Sequence, residues 1–245
     1  MTLGTEPATA ADASRMVDGC RCDPTPVPVR RVVGTDALYR DISTGQPCWI
    51  STTDGSRSPL AIGRWLGGTG STRADRAVDD ALLERCLGPT VDVGCGPGRL
   101  TAALADRGVR SLGVDVSAVA VEMTLRRGGR AIQHDVFAPL PEATTWTHAL
   151  LADGNIGIGG DPVRLLQRVR QLLHPEGRVV ADVERHPCGV RREDRRWETH
   201  HAVSRWFPWV LVGADAVGAV AKAAGLRVVS TDEVADRSVV VLQAV

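Results

Sequence analysis

The sequence predicts an α/β fold, a doubly wound and mostly parallel sheet preceded by a short N-terminal extension and cap. Three observations predict it. From about residue 75 onward, short apolar runs alternate with longer runs of helical periodicity. The first apolar run, Thr90 to Val93, turns directly into Gly94-Cys95-Gly96-Pro97-Gly98, with glycine at every second position. The chain then closes on two apolar runs, 226–234 and 238–242, joined by a turn too short for a crossover, so these two must be antiparallel.

Taken in order, residues 1–30 are rich in Thr, Ala, Asp and Pro and end in Pro24-Thr25-Pro26-Val27-Pro28, which predicts an extended or disordered arm. Residues 31–73 carry separate apolar patches (Cys48-Trp49-Ile50, Leu60-Ala61-Ile62, Trp65-Leu66) and predict a small cap of turns with one or two short strands. The main domain is then 74–245. A helix over 74–86 repeats Ala77, Val78, Ala81 and Leu82 at near-helical spacing and stops at Gly88-Pro89. Strands follow at 90–93, 111–116, 131–136, 147–152 and 177–183. Between them lie a helix over 98–107 closed by Gly108, one capped by Ser117 and closed by Gly128-Gly129, and one over 161–173 with Asp161 at N-cap and Pro162 at N1. A last helix covers 214–224. The stretch 184–212 reads as irregular, with the mixed charges of 191–201 on a solvated helix face.

Composition narrows the function classes. A chain of 245 residues with 43% hydrophobic content suits one domain plus an extension. Its 29 basic residues balance 29 acidic ones, so no overall field draws it to nucleic acid or an anionic membrane. Lys222 is the single lysine, a bias that assigns the arginines no collective role. No apolar run approaches the roughly 20 residues that span a bilayer. The N-terminus lacks the charged-then-apolar order of a secretory signal. The six cysteines are scattered, and Cys20-Arg21-Cys22 is too close for a metal-binding pair. A cytoplasmic protein with reduced thiols and no metal is expected.

The glycine loop carries the chemistry. A strand that turns over glycines into a helix offers bare backbone N–H groups to a ligand at the end of a parallel strand. A dinucleotide fingerprint needs Gly-x-Gly-x-x-Gly, whereas here Gly96 and Gly98 are one residue apart and position 99 is arginine. Asp92 stands two residues before the first glycine. This acidic-x-Gly-x-Gly-x-Gly order resembles motif I of the class I S-adenosylmethionine (SAM)-dependent methyltransferases, and the resemblance spans about 75–245. It implies a Rossmann-like seven-stranded sheet. It also implies that Gly94, Cys95, Gly96 and Gly98 lie against the methionine part of SAM, with Asp92 ordering the loop or the amino group.

Other strand ends extend the site. Asp115, with Val116 beside it, ends the second strand, where a carboxylate can accept both ribose hydroxyls; by itself this indicates only a nucleoside. Asp135 ends the third strand, where the resemblance implies contact with the adenine amine, and Val136 can add a backbone N–H. Asp153-Gly154-Asn155 follows the fourth strand, which in the family faces the methyl group and the acceptor, making all three cofactor-binding candidates and Asp153 a catalytic candidate as well. The segment is not the Asn/Asp-Pro-Pro-Tyr/Phe signature of enzymes acting on base amines or glutamine amides. Glu184 and His186 end the fifth strand and are candidate general bases. Trp197, Trp206, Phe207 and Trp209 precede the last helix, where aromatic walls with an arginine can seat an apolar ring, a sugar or an anion. His200-His201 lacks a clear carboxylate partner for a metal.

The expected activity is in-line transfer of a methyl group from SAM to a small-molecule acceptor, releasing S-adenosylhomocysteine (SAH). Two alternatives stand beside it. An NAD(P)-dependent oxidoreductase is disfavoured by the glycine spacing, and a non-catalytic SAM-binding module of the same fold is left open by the lack of a clear base. Nucleic acid as acceptor is disfavoured by the neutral charge and the lack of a recognisable RNA-binding extension.

Overall fold

The computed structural model describes residues 30–245, so the arm (apart from Arg30) and the Cys20–Cys22 pair lie outside the described residues. The segment read as a cap contains β1 (Arg31–Val32), α1 (Thr35–Ser43), β2 (Trp49–Thr52), β3 (Arg57–Pro59) and α2 (Ile62–Leu66). The helix α1 is an addition to the expected turns and strands. Its Leu38, Tyr39 and Ile42 are buried, a helical spacing too short to stand out beside Gly34 and Gly45.

The helix α3 (Arg73–Leu83) begins at a capping box, in which Thr72 accepts from the Asp75 N–H and Asp75 accepts from the Thr72 N–H. Then come β4 (Thr90–Val93), α4 (Arg99–Asp106), β5 (Ser111–Asp115), α5 (Ala118–Arg126), β6 (Ala131–Gln133), β7 (Trp146–Leu151) and α6 (Pro162–Arg170). The side chains of Ser117 and Asp161 accept from backbone N–H groups of the helices they start, α5 and α6. After β8 (Leu173–Glu184), β9 (Val190–Glu198), β10 (Ala202–Val203) and β11 (Phe207–Val212), the chain ends with α7 (Val217–Ala223), β12 (Leu226–Val234) and β13 (Arg237–Ala244).

Seven strands form the large sheet in the order β12-β13-β8-β7-β4-β5-β6. β4 pairs in parallel with β5 and β7, and β13 runs antiparallel to both β8 and β12. Successive residues of the central strands serve opposite faces. Ala149, Leu151, Val179 and Ala181 pack with Leu165, Leu166 and Val220 of α6 and α7, whereas Leu150 and Val180 pack with Val78 and Leu82 of α3 and Leu100 and Leu104 of α4. Both faces are covered, as a doubly wound sheet requires.

The stretch 184–212 departs from expectation. It is not irregular, and its charges do not lie on a helix. β9 pairs antiparallel with β11 (Arg195 opposite Phe207) and with β2 (Trp197 opposite Ile50), in a second sheet that includes β1, β3 and β10. The ion pairs within β9 run two residues apart: Glu193 holds Arg191 and Arg195 at 2.8 Å each, and Glu198 holds Arg196 at 2.7 Å. Side chains two apart share one face of a strand, whereas helix partners stand three or four apart. The N-terminal segment and residues 190–212 thus build one layer together.

Candidate active site

Residues from the ends of β4, β5, β6 and β7, from α1 and from the second sheet line one cavity of about 860 Å³. Its floor is the glycine loop. Gly94 has φ +72°, and a Cβ there would stand 2.7 Å from Asn155 Nδ2 and 2.8 Å from Ile158 Cδ1. Asn155 Nδ2 occupies that space because it donates to the carbonyls of Val93 and Gly94, both at 2.9 Å, tying the loop after β7 to the glycine loop. Gly98 has φ +78° and does not line the cavity; a Cβ there would meet Thr124 Oγ1 at 2.4 Å, so its smallness serves the packing of α5 against the loop. Cys95 lines the cavity, with its thiol buried beside Thr124.

Asp92 lies on the floor and accepts from Thr101 Oγ1 at 2.6 Å. Burial pushes its pKa up to about 6, against the lowering effect of Thr101 and Arg99. Asp115, just after Val114, accepts from the N–H of Gly96 with one oxygen and of Ser117 with the other, each at 2.9 Å. Each oxygen retains a second lone pair, and the carboxyl lines the cavity beside Val116. Burial raises its pKa as well. Asp135 lies two residues beyond β6, with one oxygen accepting from the Phe137 N–H at 2.9 Å; it lines the cavity with His134 and Val136. The His134 ring is engaged by the Pro139 carbonyl at 2.7 Å.

The loop after β7 is held by charge. Asp153 adopts φ +57°, a left-handed conformation rare outside glycine. Arg64 Nε donates to one of its oxygens and Arg99 to the other, both at 2.7 Å. Arg99 also pairs with Asp79. Asp153 and Asn155 line the cavity, whereas Gly154 lies outside its wall and donates its N–H to the fully buried Asp182 at 3.2 Å. Glu184 and His186 are not brought to the cavity. Glu184 is paired with Arg237, which also bonds Asp182 at 2.7 Å, and His186 is exposed to solvent.

The four aromatic residues of β9–β11 all line the cavity. Trp197 is the hub, 5.3 Å from Tyr39, 5.4 Å from Trp65 and 6.2 Å from Phe207 by ring centroids. Phe207 continues to Trp209 at 6.2 Å. Exposed His200 instead packs edge-on against Trp49. Among the described residues, no group of three or more His, Cys, Asp or Glu is arranged to hold a metal ion.

Tyr39, Trp65, Arg64, Arg99 and Arg205 are site residues that motif reasoning passes over. Tyr39 is the single tyrosine of the chain. A Cβ on Gly96 would be 3.4 Å from its hydroxyl, which places that hydroxyl against the glycine loop. Burial, then the charge of Asp115, raises its pKa well above the usual value, so it is a neutral phenol. α1 is docked by Asp36, which accepts from Ser117 Oγ at 2.5 Å and the Val119 N–H at 3.3 Å, at the start of α5. The helical spacing of Leu38, Tyr39 and Ile42 was the available signal for Tyr39; nothing local marks the arginines.

A glycine loop, a carboxylate at the next strand end and a second carboxylate one strand further define an α/β domain for a nucleoside-bearing cofactor. Residues 72–231 match the model of a family described as a methyltransferase domain, and the chain belongs to that family. Its fold is that of the class I SAM-dependent methyltransferases. A SAM-dependent methyltransferase from Bacteroides fragilis in complex with SAH superposes with a TM-score of 0.71 at 17% identity, over 88% of this chain and 98% of that one. The 1,6-didemethyltoxoflavin-N1-methyltransferase of Burkholderia thailandensis gives 0.53 at 18% identity, over 89% and 93%. The glycopeptide N-methyltransferase MtfA, complexed with SAM, gives 0.53 at 15% identity, over 69% and 93%. No curated protein sequence matches this chain.

Proposed function

We propose that the chain transfers a methyl group from SAM to a small-molecule acceptor in the cytoplasm, and that both bind in the cavity between the two sheets. The observation that carries this is the convergence in one space of the bare Gly94–Gly96 backbone, the Asp115 and Asp135 carboxyls and an aromatic wall. The cavity volume falls within the usual range for small-molecule sites. When bound, SAM supplies a methyl group already activated by its sulfonium, and the products are the methylated acceptor, SAH and a proton.

The chain's own residues bind and orient. Asp115 uses its remaining lone pairs for the ribose hydroxyls, and Asp135 with the Val136 N–H reads the adenine edge. Gly94, Cys95 and Gly96 present backbone to the methionine portion, with Asp92 beside them. Both oxygens of Asp153 are held by arginines, so we assign it to shaping the loop near the methyl group; proton abstraction does not fall to it. The neutral Tyr39 hydroxyl, between the glycine loop and Trp197, donates a hydrogen bond rather than taking a proton. Glu184 and His186, outside the cavity wall, have no part in the proposed transfer. Among the described residues no helix is long and apolar enough to cross a membrane.

Calorimetric titration of SAM, SAH and NAD into wild type and Asp115→Ala tests the reading. SAH should bind to the wild type at micromolar concentration and lose about 100-fold in affinity in the variant, which forfeits both ribose bonds and the tie to Gly96. Binding of NAD in place of SAH would overturn the assignment.

A further inference from the structure

The charge and shape of the acceptor can be read from the wall opposite the glycine loop, on the basis of the methyl-transfer reading above. Four of the six tryptophans of the chain line the cavity: Trp65, Trp197, Trp206 and Trp209. The Tyr39 and Phe207 rings stand at 83° and 89° to that of Trp197, so faces and edges alternate around it. Such walls bury a planar ring well and offer little to a flexible polar chain.

The cations at this end are Arg195 and Arg205. Arg195 is compensated by Glu193 at 2.8 Å and leans towards Trp209, with its guanidinium carbon 5.8 Å from the ring centroid. Arg205 lines the same cavity, and its guanidinium has no hydrogen bond or ion pair with any described residue. None of the cavity carboxyls pairs with Arg205: Asp153 is held by two arginines, and Asp92, Asp115 and Asp135 accept from Thr101 or from backbone N–H groups on the floor. An acceptor that displaces water from Arg205 must replace that solvation or leave a cation unpaired. Arg205 is exposed in the open cavity and becomes covered only when an acceptor is seated, and the sulfonium of the methyl donor adds a second positive charge to the same cavity. An anionic acceptor relieves both, whereas a cationic one adds to the repulsion.

We propose that the acceptor is a planar aromatic or heteroaromatic small molecule with an anionic substituent, its ring seated against Trp197 and its anion on Arg205. The test uses three ring probes of one size, 2-naphthoate, 2-naphthalenemethanol and 2-naphthylmethylammonium, titrated calorimetrically with and without saturating SAH. The naphthoate should bind at least about tenfold more tightly than the alcohol, as a charge-assisted bond to arginine requires, with the ammonium weakest. Arg205→Gln should remove the advantage of the naphthoate and leave alcohol binding unchanged, while Arg205→Lys keeps part of it; a thermal melt confirms that each variant is folded. Equal binding of the three probes, tightest binding of the ammonium, or a naphthoate advantage that survives Arg205→Gln would overturn the proposal. A wild type that does not bind SAH breaks the cofactor reading instead, and the probe order in SAH-free protein still decides this one.

Discussion

The floor of the cavity and the wall facing it differ in how far the chain travels to build them. The floor uses consecutive residues at strand ends, such as Gly94 to Gly96 after β4 and Asp115 after Val114. Part of its lining is glycine backbone, and its carboxyls are tied by short bonds to neighbouring N–H or hydroxyl groups. The wall draws Tyr39 from α1, Trp65 from α2, Trp197 from β9 and Phe207 and Trp209 from β11. It is made of side chains, and it is aromatic. A floor built from backbone tolerates little change, whereas a wall of separate rings can be altered one ring at a time.

The largest expected effect breaks the floor at its charges. Arg99→Met leaves Asp79 and Asp153 without their shared buried cation and should cost about 3–5 kcal/mol in chemical denaturation. Adding Asp79→Leu should recover part of that loss. Full stability in the single variant would mean that the floor does not depend on this ion pair.

Somewhat smaller is the cost of keeping Asp92 on the floor. Its pKa is raised from 3.8 to about 6 by burial, so between those values the unfolded chain releases the proton first and rising pH destabilises the fold. Above about 6 both states are ionised and the cost is constant. Asp92→Asn should therefore be more stable than wild type at pH 7, by an amount on the order of 3 kcal/mol, with the gap closing towards pH 4. Urea melts at a series of pH values measure it, and a gap independent of pH would refute the burial argument.

The smallest effect sharpens the contrast on the other side. Trp197→Leu removes three ring contacts from the wall and none from the floor. It should weaken binding of 2-naphthalenemethanol about tenfold while SAH affinity stays within about twofold. Parallel losses for both ligands would mean that floor and wall are one unit.

The same difference explains what could be read from the residues in order. Strand-end carboxyls and glycine spacing are local patterns, so Asp92, Asp115 and Asp135 were identifiable together with the sheet that carries them. Trp206, Phe207 and Trp209 were visible as a cluster, but their strands were not, because opposite charges from Arg191 to Glu198 suggested a solvated helix. Pairing at intervals of two, Arg191–Glu193 and Arg196–Glu198, was the overlooked period of a strand. Tyr39 and Trp65 carried too little local pattern to be linked to Trp197, since that contact exists only once β2 lies beside β9. Glu184 looked available at a strand end, and only the fold shows Arg237 already occupying it.

The pairing of Ile50 with Trp197 also makes one layer of the cavity wait for residues that are synthesised late. By the time Asn155 is synthesised, every residue that we assign to the cofactor has been made. The facing wall then still lacks β9 and β11, and β2 has only β3 beside it. On the proposed assignment, a nascent chain therefore carries the residues for the donor before it has the wall for an acceptor. Closing that layer joins segments far apart in the sequence, a step whose entropy cost grows with the length of chain between them.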